Sequence, residues 1–328
     1  MFNPDDFSSA GPKYLSEHHN WEDQGHRRSV MACLVQGVYS LRRDQKSNKP
    51  NALAPPWWTS FGFSLRRQLI DDADSHVFGA IYERSTSNPK FVIAFRGTTD
   101  SMDVLLDWKF FLNRFHKMSR CRIAIQAVSE TLSEAKTAAD VWLAGHSLGA
   151  VVAISAAKHA VRKRGLFLET YLFNSPYPSL PIEGIIKNEQ VKFIAYAVKD
   201  ICKVVLAKKK EAAHPEVERN FKALAGWVPW LFVNSNDVIS REYKEYFEHR
   251  KKMEAIGLGK LAKVVARNTL MDLYTRVKGC IELEPMHLLP SATLVLNPNK
   301  PNDQHWSSHK IQQWWLKDLD LQYEKFTY

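Results

Sequence analysis

One stretch of this sequence decides the fold: Val141-Trp142-Leu143-Ala144-Gly145-His146-Ser147-Leu148-Gly149-Ala150-Val151-Val152. An apolar run enters Gly-x-Ser-x-Gly, and small residues typical of a closely packed helix follow. This is the pattern of a strand, a sharp turn and a helix, with the serine at the apex of the turn. Side chains at Gly145 and Gly149 would collide with the tightly folded strand and helix. We therefore predict that Ser147 is a nucleophile exposed at the end of a sheet strand.

Outward from this turn, short apolar segments alternate with longer segments of helical periodicity. Segment 90–96 is apolar on both faces, as a central strand requires, and forms a predicted hairpin with the segment before it. Further predicted strands are 77–84, 168–174, 230–234 and 292–297, and predicted helices are 26–43, 120–139, 191–210, 240–278 and 311–321. Such alternation favours a mostly parallel sheet with helices on both faces. We predict one α/β domain over residues 1–328, with a helical insertion at residues 240–280.

The composition is that of a globular protein, because 45% of the 328 residues are hydrophobic and 24% are charged. No apolar stretch approaches the length of a membrane span, and residues 1–15 lack the layout of a signal peptide. The cysteines are far apart and show no metal-ligand spacing: Cys33, Cys121, Cys202 and Cys280. We therefore predict reduced thiols and a cytoplasmic protein.

The net charge of +10 favours contact with anionic surfaces. Two basic helical stretches, 199–210 and 250–263, are either solvated faces or surfaces for peripheral contact with an anionic membrane. The basic residues follow no recognisable nucleic-acid-binding motif, so nucleic acid is not a predicted partner. Nothing in the sequence indicates an oligomeric state.

A nucleophilic serine needs a base, and the base needs a third group that fixes its tautomer. On this kind of fold the chain order is serine, acid, histidine. Asp237 is the preferred acid, because it follows the predicted strand 230–234 and so lies where open α/β sheets place their sites. Asp200 is the weaker candidate, since it lies within a helical pattern.

The base is expected after the last predicted strand, where His305 and His309 both lie. His309 is preferred because it precedes the predicted final helix, which Ser307 or Ser308 could cap, so that its ring would be held in place. His305 is the alternative. His287 precedes the last strand and is at the wrong end of it.

The oxyanion that forms during acyl transfer needs backbone donors. The amide of Leu148, the residue after the nucleophile, is one candidate. Thr98 in Phe95-Arg96-Gly97-Thr98-Thr99 is the other, because this loop follows a central strand and Gly97 permits an unusual backbone angle. The alternative for Thr98 is a simple turn at the end of a strand.

Together these motifs resemble the fungal-type (class 3) lipases of the α/β-hydrolase superfamily. The resemblance rests on the Arg-Gly-Thr loop, the Gly-His-Ser-Leu-Gly turn, the Asn-x-x-Asp of residues 234–237 and a late histidine. It is nearer to a plant subgroup often labelled GDSL esterase/lipase, which segments 25–39 and 309–315 also resemble. The chain itself contains no Gly-Asp-Ser-Leu.

The resemblance implies that Ser147 is the nucleophile, Asp237 the acid and His309 the base, with Thr98 and Leu148 as the oxyanion hole. It also implies a lid after the Arg-Gly-Thr motif. Residues 101–118 are rich in large apolar side chains, which suits a lid that opens towards lipid or, alternatively, a buried helix.

The sequence therefore predicts a serine carboxylic-ester hydrolase, a lipase or esterase acting on acyl lipids through an acyl-enzyme, without a metal ion or an organic cofactor. An acyltransferase that uses the same acyl-enzyme is one alternative. A hydrolase-like scaffold that binds a partner or ligand without turnover is another. The absence of a secretory signal and of disulfides argues against extracellular fat digestion.

Overall fold

A computed structural model describes residues 3–15, 20–48, 52–86, 88–98, 119–177, 216–257, 287–299 and 307–328. Within these residues the chain forms an eight-stranded sheet whose strand order follows the chain order. The strands are β1 (Ser64–Ile70), β2 (Val77–Glu83), β3 (Phe91–Phe95), β4 (Val141–His146), β5 (Thr170–Phe173), β6 (Trp230–Asn234), β7 (Ala292–Asn297) and β8 (Gln322–Phe326).

The centre of the sheet is parallel and its edges are antiparallel. Strands β3 to β7 pair in parallel, whereas β1, β2 and β8 pair antiparallel with their neighbours. In the parallel part, Phe95 is level with Gly145, and Asn234 is level with Asn297. The carboxyl ends of the parallel strands therefore meet along one edge. This mixed, mostly parallel sheet is the predicted architecture of an α/β-hydrolase-like fold, and that prediction is confirmed.

Helices cover both faces of the sheet. They are α1 (Phe7–Ala10), α2 (Gln24–Lys46), α3 (Pro56–Thr59), α4 (Ser119–Glu134), α5 (Leu148–Arg164), α6 (Glu216–Ala223) and α7 (Glu242–Ala255), with 3-10 helices at Lys13–Leu15, Ala138–Asp140, Leu224–Gly226, Ser307–His309 and Ile311–Trp315.

Two hydrophobic cores lie on opposite faces of the sheet, as the alternation along β3 shows. Phe91, Ile93 and Phe95 join the core formed with α4, α5 and α7. Val92 and Ala94 join the core formed with α2 and α3. All of β3 is buried, as the apolar run at residues 90–96 predicted.

Helix α2 was predicted at residues 26–43 and is longer at both ends. Its first turn is capped by Asp23, whose carboxylate accepts a hydrogen bond of 2.5 Å from the His26 amide. Its apolar side chains face the second core, and it also packs on the segment Ile311–Trp315. Helix α2 therefore packs on the sheet and, at the same time, on the 3-10 helix that follows His309.

The prediction of a final helix at residues 311–321 is wrong. The segment forms only the 3-10 helix Ile311–Trp315, and the chain is extended at Leu316, with φ −64° and ψ 142°. Asp318 has a φ of 57°, a left-handed conformation that no helix interior accepts. The chain then turns into β8, which pairs antiparallel with β7 and was not predicted.

Several predicted features lie outside the described residues. These are the segment 101–118, the helix at 191–210 with Asp200, the basic stretch 199–210, His305, Cys202 and Cys280. Of the helical insertion predicted at 240–280, α7 is described and residues 258–286 are not. None of the described helices has both the length and the apolar character that a membrane crossing demands.

Candidate active site

Ser147 occupies a sharp turn between β4 and α5. Its backbone has φ 53° and ψ −127°, a conformation that non-glycine residues rarely adopt and that must be held by its surroundings. A Cβ at Gly145 would come within 2.4 Å of the Gly149 carbonyl oxygen, and a Cβ at Gly149 within 2.4 Å of the Phe95 carbonyl oxygen. The two glycines therefore allow α5 to start directly against β4 and β3.

The three residues predicted as nucleophile, base and acid lie in one hydrogen-bonded line. His309 Nε2 is 2.9 Å from Ser147 Oγ, and His309 Nδ1 is 2.8 Å from Asp237 Oδ2. Because a carboxylate only accepts, the neutral imidazole donates from Nδ1 and accepts the serine hydroxyl at Nε2. The His309 side chain is 17% exposed and that of Asp237 is 1% exposed. His287 is buried before β7, where its carbonyl oxygen accepts from the Tyr243 hydroxyl.

Asp237 is held from several sides in the loop after β6. Its Oδ2 accepts hydrogen bonds of 2.6 Å from Asn174 Nδ2 and from Ser240 Oγ, and its Oδ1 accepts one from the Ile239 amide. Burial alone would raise the pKa of this carboxyl, but the charge of His309 and the hydrogen bonds lower it below the ordinary 3.8. Asp237 is thus an ionised carboxylate that fixes the orientation of the imidazole.

The segment that carries His309 is not held by a serine cap, contrary to the prediction. The residue that caps Ile311–Trp315 is Lys310, and it forms no side-chain cap bond. Instead, Gln313 Nε2 donates to the carbonyl oxygens of Ser308 and Lys310 at 2.7 and 2.9 Å, on either side of His309. Gln313 is itself held by Asn234 Nδ2 at the end of β6, at 2.7 Å.

The two predicted oxyanion donors, Leu148 and Thr98, are in α5 directly after Ser147 and in the loop after β3. Leu148 is the first residue of α5, so its amide has no partner within the helix, whereas the Ser147 amide donates to the Phe173 carbonyl. The 96–98 loop lies against the serine, since a Cβ at Gly97 would be 2.8 Å from Ser147 Cβ. Thr98 is exposed, and within the described residues its amide and hydroxyl form no hydrogen bond. Among the described residues, the amides of Leu148 and Thr98 therefore both lack a hydrogen-bond partner, and the residue before Thr98 lies against Ser147.

The sequence did not reveal the side chains that hold the 96–98 loop and Asp237. The Gly97 amide donates to Tyr39 Oη at 2.8 Å, and the Gly97 carbonyl accepts from the guanidinium of the buried Arg96 at 2.6 Å. Asn174, with a φ of 46°, binds both Asp237 and the Ser308 carbonyl. The only sequence signal for Asn174 was its place at the end of β5, beside the strands that carry Ser147 and Asp237.

A cleft of about 590 Å³ opens beside Thr98. Tyr39 and three basic side chains from the end of α2 line it: Arg42, Arg43 and Lys46. Arg43 is paired at 2.5 Å with the buried carboxylate of Asp5, which also lines the cleft. In the described part of the chain, no His, Cys, Asp and Glu side chains converge as metal ligands would.

The chain is similar to a named esterase/lipase in sequence and, weakly, to a lipase in structure. No family model matches the chain. It is 37% identical to an Arabidopsis thaliana protein named GDSL esterase/lipase, over 99% of this chain and 98% of that protein. A crystal structure of a lipase from Rhizopus microsporus var. chinensis matches 47% of this chain and 58% of its own, with 14% identity and a TM-score of 0.35. That structural match is too weak to support an argument.

The sheet order and the turn at Ser147 define the class as an α/β-hydrolase-like protein. Within that class, the likeness over nearly the whole of both sequences shows that the chain belongs to the family of the GDSL esterase/lipase of Arabidopsis. Family membership supports a carboxylic ester hydrolase in general. The broader resemblance to the fungal-type (class 3) lipases stays a prediction.

Proposed function

We propose that this protein is a serine carboxylic-ester hydrolase that acts on acyl lipids, with Ser147 as nucleophile, His309 as base and Asp237 as acid. The observation that carries the proposal is the pair of hydrogen bonds that His309 forms with the other two, 2.9 Å to Ser147 and 2.8 Å to Asp237. The name esterase/lipase of the Arabidopsis relative supports the substrate class.

The reaction begins when Ser147 Oγ attacks the ester carbonyl and gives its proton to His309 Nε2. Asp237 stabilises the imidazolium that forms, and the amides of Leu148 and Thr98 bind the oxyanion. The tetrahedral intermediate collapses when His309 returns the proton to the leaving alcohol, which leaves the acyl group on Ser147. His309 then activates a water that releases the acid and regenerates the serine.

The first experiment asks whether Ser147 reacts. A fluorophosphonate probe should label the protein, and Ser147→Ala should remove the label together with turnover of p-nitrophenyl esters. Ser155→Ala is the matched control, because it removes a buried serine hydroxyl from the same helix, away from the acid and the base. A wild-type protein that neither reacts with the probe nor hydrolyses esters would contradict the proposal and favour a binding scaffold.

The second experiment concerns the substrate. We expect rates to rise with acyl-chain length and to increase above the micelle threshold, as for a lipase. A preference for short, dissolved esters would favour a soluble esterase. Transfer of the acyl group to an added alcohol in preference to water would favour an acyltransferase, which shares the acyl-enzyme.

Cytoplasmic location and peripheral contact with membranes remain predictions from the sequence. One residue of the basic stretch 250–263 does not belong to a membrane-facing surface. Arg250 is buried, and its guanidinium donates to the carbonyl oxygens of Pro290 and Thr327 at 2.7 and 3.1 Å. This side chain holds α7 against the residues just before β7 and just after β8.

A further inference from the structure

His146, the residue before Ser147, is buried between Tyr39, which binds the 96–98 loop, and the backbone of His309. Its side chain is not part of the reaction described above. His146 Nδ1 is 2.8 Å from Tyr39 Oη, and its Nε2 is 2.7 Å from the backbone carbonyl oxygen of His309. The rings of His146 and His309 lie 5.0 Å apart.

The two contacts determine where the proton of His146 lies. A carbonyl oxygen only accepts hydrogen bonds, so Nε2 of His146 carries the hydrogen that is donated to His309. A neutral imidazole then has a lone pair on Nδ1, which accepts the hydrogen of the Tyr39 hydroxyl. The oxygen of that hydroxyl accepts in turn from the Gly97 amide, at 2.8 Å.

A continuous series of hydrogen bonds therefore runs from Gly97 through Tyr39 and His146 to the backbone of His309. At one end it holds the amide of Gly97, and the carbonyl of the same residue, in the peptide that leads to Thr98, accepts from the Arg96 guanidinium. At the other end it holds the main chain of the base. Both nitrogens of His146, the Tyr39 hydroxyl hydrogen and the Gly97 amide hydrogen are all engaged within this series.

We propose that Tyr39 and His146 are positioning residues that set the spacing between the base His309 and the oxyanion donor Thr98. This inference rests on the proposed hydrolase function. The pair acts through backbone groups, Gly97 N–H and His309 C=O, to which its hydrogen bonds run. Geometric control of this kind matters because a shift of about 1 Å in a catalytic group can cost about 100-fold in rate.

A histidine suits this place because it must donate from one nitrogen and accept at the other while staying neutral. Burial, and then the charge of His309, lowers the pKa of His146 to about 3. The charge of Asp237 acts in the opposite direction and raises the pKa of His146, but it is a smaller cause. Burial likewise raises the pKa of Tyr39 to about 12. On the far side of the pair, the charge of Arg96 lowers the pKa of Tyr39, but by less than burial raises it. Both groups therefore stay uncharged around neutral pH.

The test compares two tyrosines that differ in what their hydroxyls hold. Tyr39→Phe removes the bond to Gly97 and His146. The control, Tyr82→Phe, removes a hydroxyl that donates to the Leu34 carbonyl of the same helix α2, at 3.1 Å. We expect Tyr39→Phe to lower kcat about tenfold to 100-fold with KM within about threefold, and Tyr82→Phe to leave both close to wild type.

Two further measurements separate positioning from folding. An alkyl boronic acid forms a tetrahedral adduct on the serine, so its inhibition constant should rise in Tyr39→Phe in proportion to the fall in kcat/KM. His146→Phe should lose more activity than Tyr39→Phe, because it also frees the His309 carbonyl. His146→Gln should recover part of that loss, since its amide can still donate towards His309.

The outcomes distinguish this inference from the function on which it rests. If wild-type protein reacts with the fluorophosphonate but both tyrosine variants have equal kcat per folded molecule, the positioning role is wrong and the hydrolase remains. An unchanged boronic acid constant in Tyr39→Phe would also overturn it. If the wild type does not react at all, the proposed function itself fails.

Discussion

The turn that carries Ser147 and the segment that carries His309 are held in place by different means. The turn is determined by the space available over a few residues, since Gly145 and Gly149 leave room for no side chain. The segment 307–316, the base segment, has no such steric constraint from neighbouring residues. It is held by side chains from distant parts of the chain: Arg28, Asn174, Asn234 through Gln313, and His146.

The difference indicates how each half of the site can fail. A side chain added to the turn should distort the backbone and reduce stability. A hydrogen-bond partner removed from the base segment should displace His309 and reduce activity while the turn remains intact.

The largest effect on activity is expected at Asp237, the proposed acid. Asp237→Asn should lower kcat about 10⁴-fold, because the amide no longer supports the required tautomer of His309 or stabilises the imidazolium. Steady-state kinetics on p-nitrophenyl esters measure this. Ser240→Ala, which removes one hydrogen bond to the same carboxylate, should cost only about tenfold. Equal losses in the two variants would contradict the assigned role of Asp237.

Acidification should lower the free energy of unfolding first through His146 and only at lower pH through Asp237. Unfolded His146 takes up a proton below its ordinary pKa of 6.5, whereas folded His146 does so only near 3, so the free energy of unfolding falls as pH drops between these values. The slope for one proton is about 1.4 kcal/mol per pH unit. Asp237, with its pKa lowered from 3.8, loses its contribution only below about that pH.

Urea unfolding at a series of pH values, for wild type and His146→Gln, measures this. The variant lacks the titrating imidazole, so its stability should depend less steeply on pH between 6.5 and 4. Parallel curves for the two proteins would show that His146 is not held neutral in the folded state.

Adding a methyl group to the turn should be the next largest effect. Gly149→Ala brings a Cβ to 2.4 Å from the Phe95 carbonyl oxygen, so the backbone must move, at a cost of about 3 kcal/mol. Gly165→Ala, at the other end of α5, meets no atom within 4 Å and only strains a φ of 66°. That strain should cost about 1 kcal/mol. Similar shifts in denaturation midpoint would show that close approach at the turn is unimportant.

The smallest effect is expected for a support of the base segment. Arg28 is buried on α2, and its guanidinium donates to the carbonyl oxygens of Trp314 and Leu316 at 2.8 and 3.4 Å. Arg28→Met leaves these carbonyls unpaired, which should cost about 2 kcal/mol and reduce kcat without changing the turn. Arg42→Met on the same helix, where the side chain is partly exposed, should stay within about 0.5 kcal/mol. A stable, fully active Arg28→Met would show that the segment holds itself.

The elements that sequence predicted well are those with an unambiguous apolar pattern. Strand β3 is apolar on both faces, and β7 has the bounds 292–297 that were predicted. Strand β8 gave little signal, because among its residues only Phe326 is buried. The final helix was predicted wrongly, because Trp314 and Trp315 have helical spacing relative to Ile311 yet are placed by contacts with α2 and α1.

In the candidate site, residue types and chain order led to Ser147, Asp237 and His309, which lie within hydrogen-bond distance of one another. The supporting residues Tyr39, Arg96 and Asn174 were not found. Their importance depends on which backbone groups the fold brings beside them, and no local pattern records that.

The sequence by itself determined the alternating strands and helices and the turn at Ser147, because steric exclusion and apolar periodicity act over a few neighbouring residues. Only the tertiary structure decided how His309 is held and which nitrogen of His146 carries its proton. Those features depend on hydrogen bonds between residues as far apart in sequence as His146 and His309, and such partners exist only once the sheet and α2 have come together.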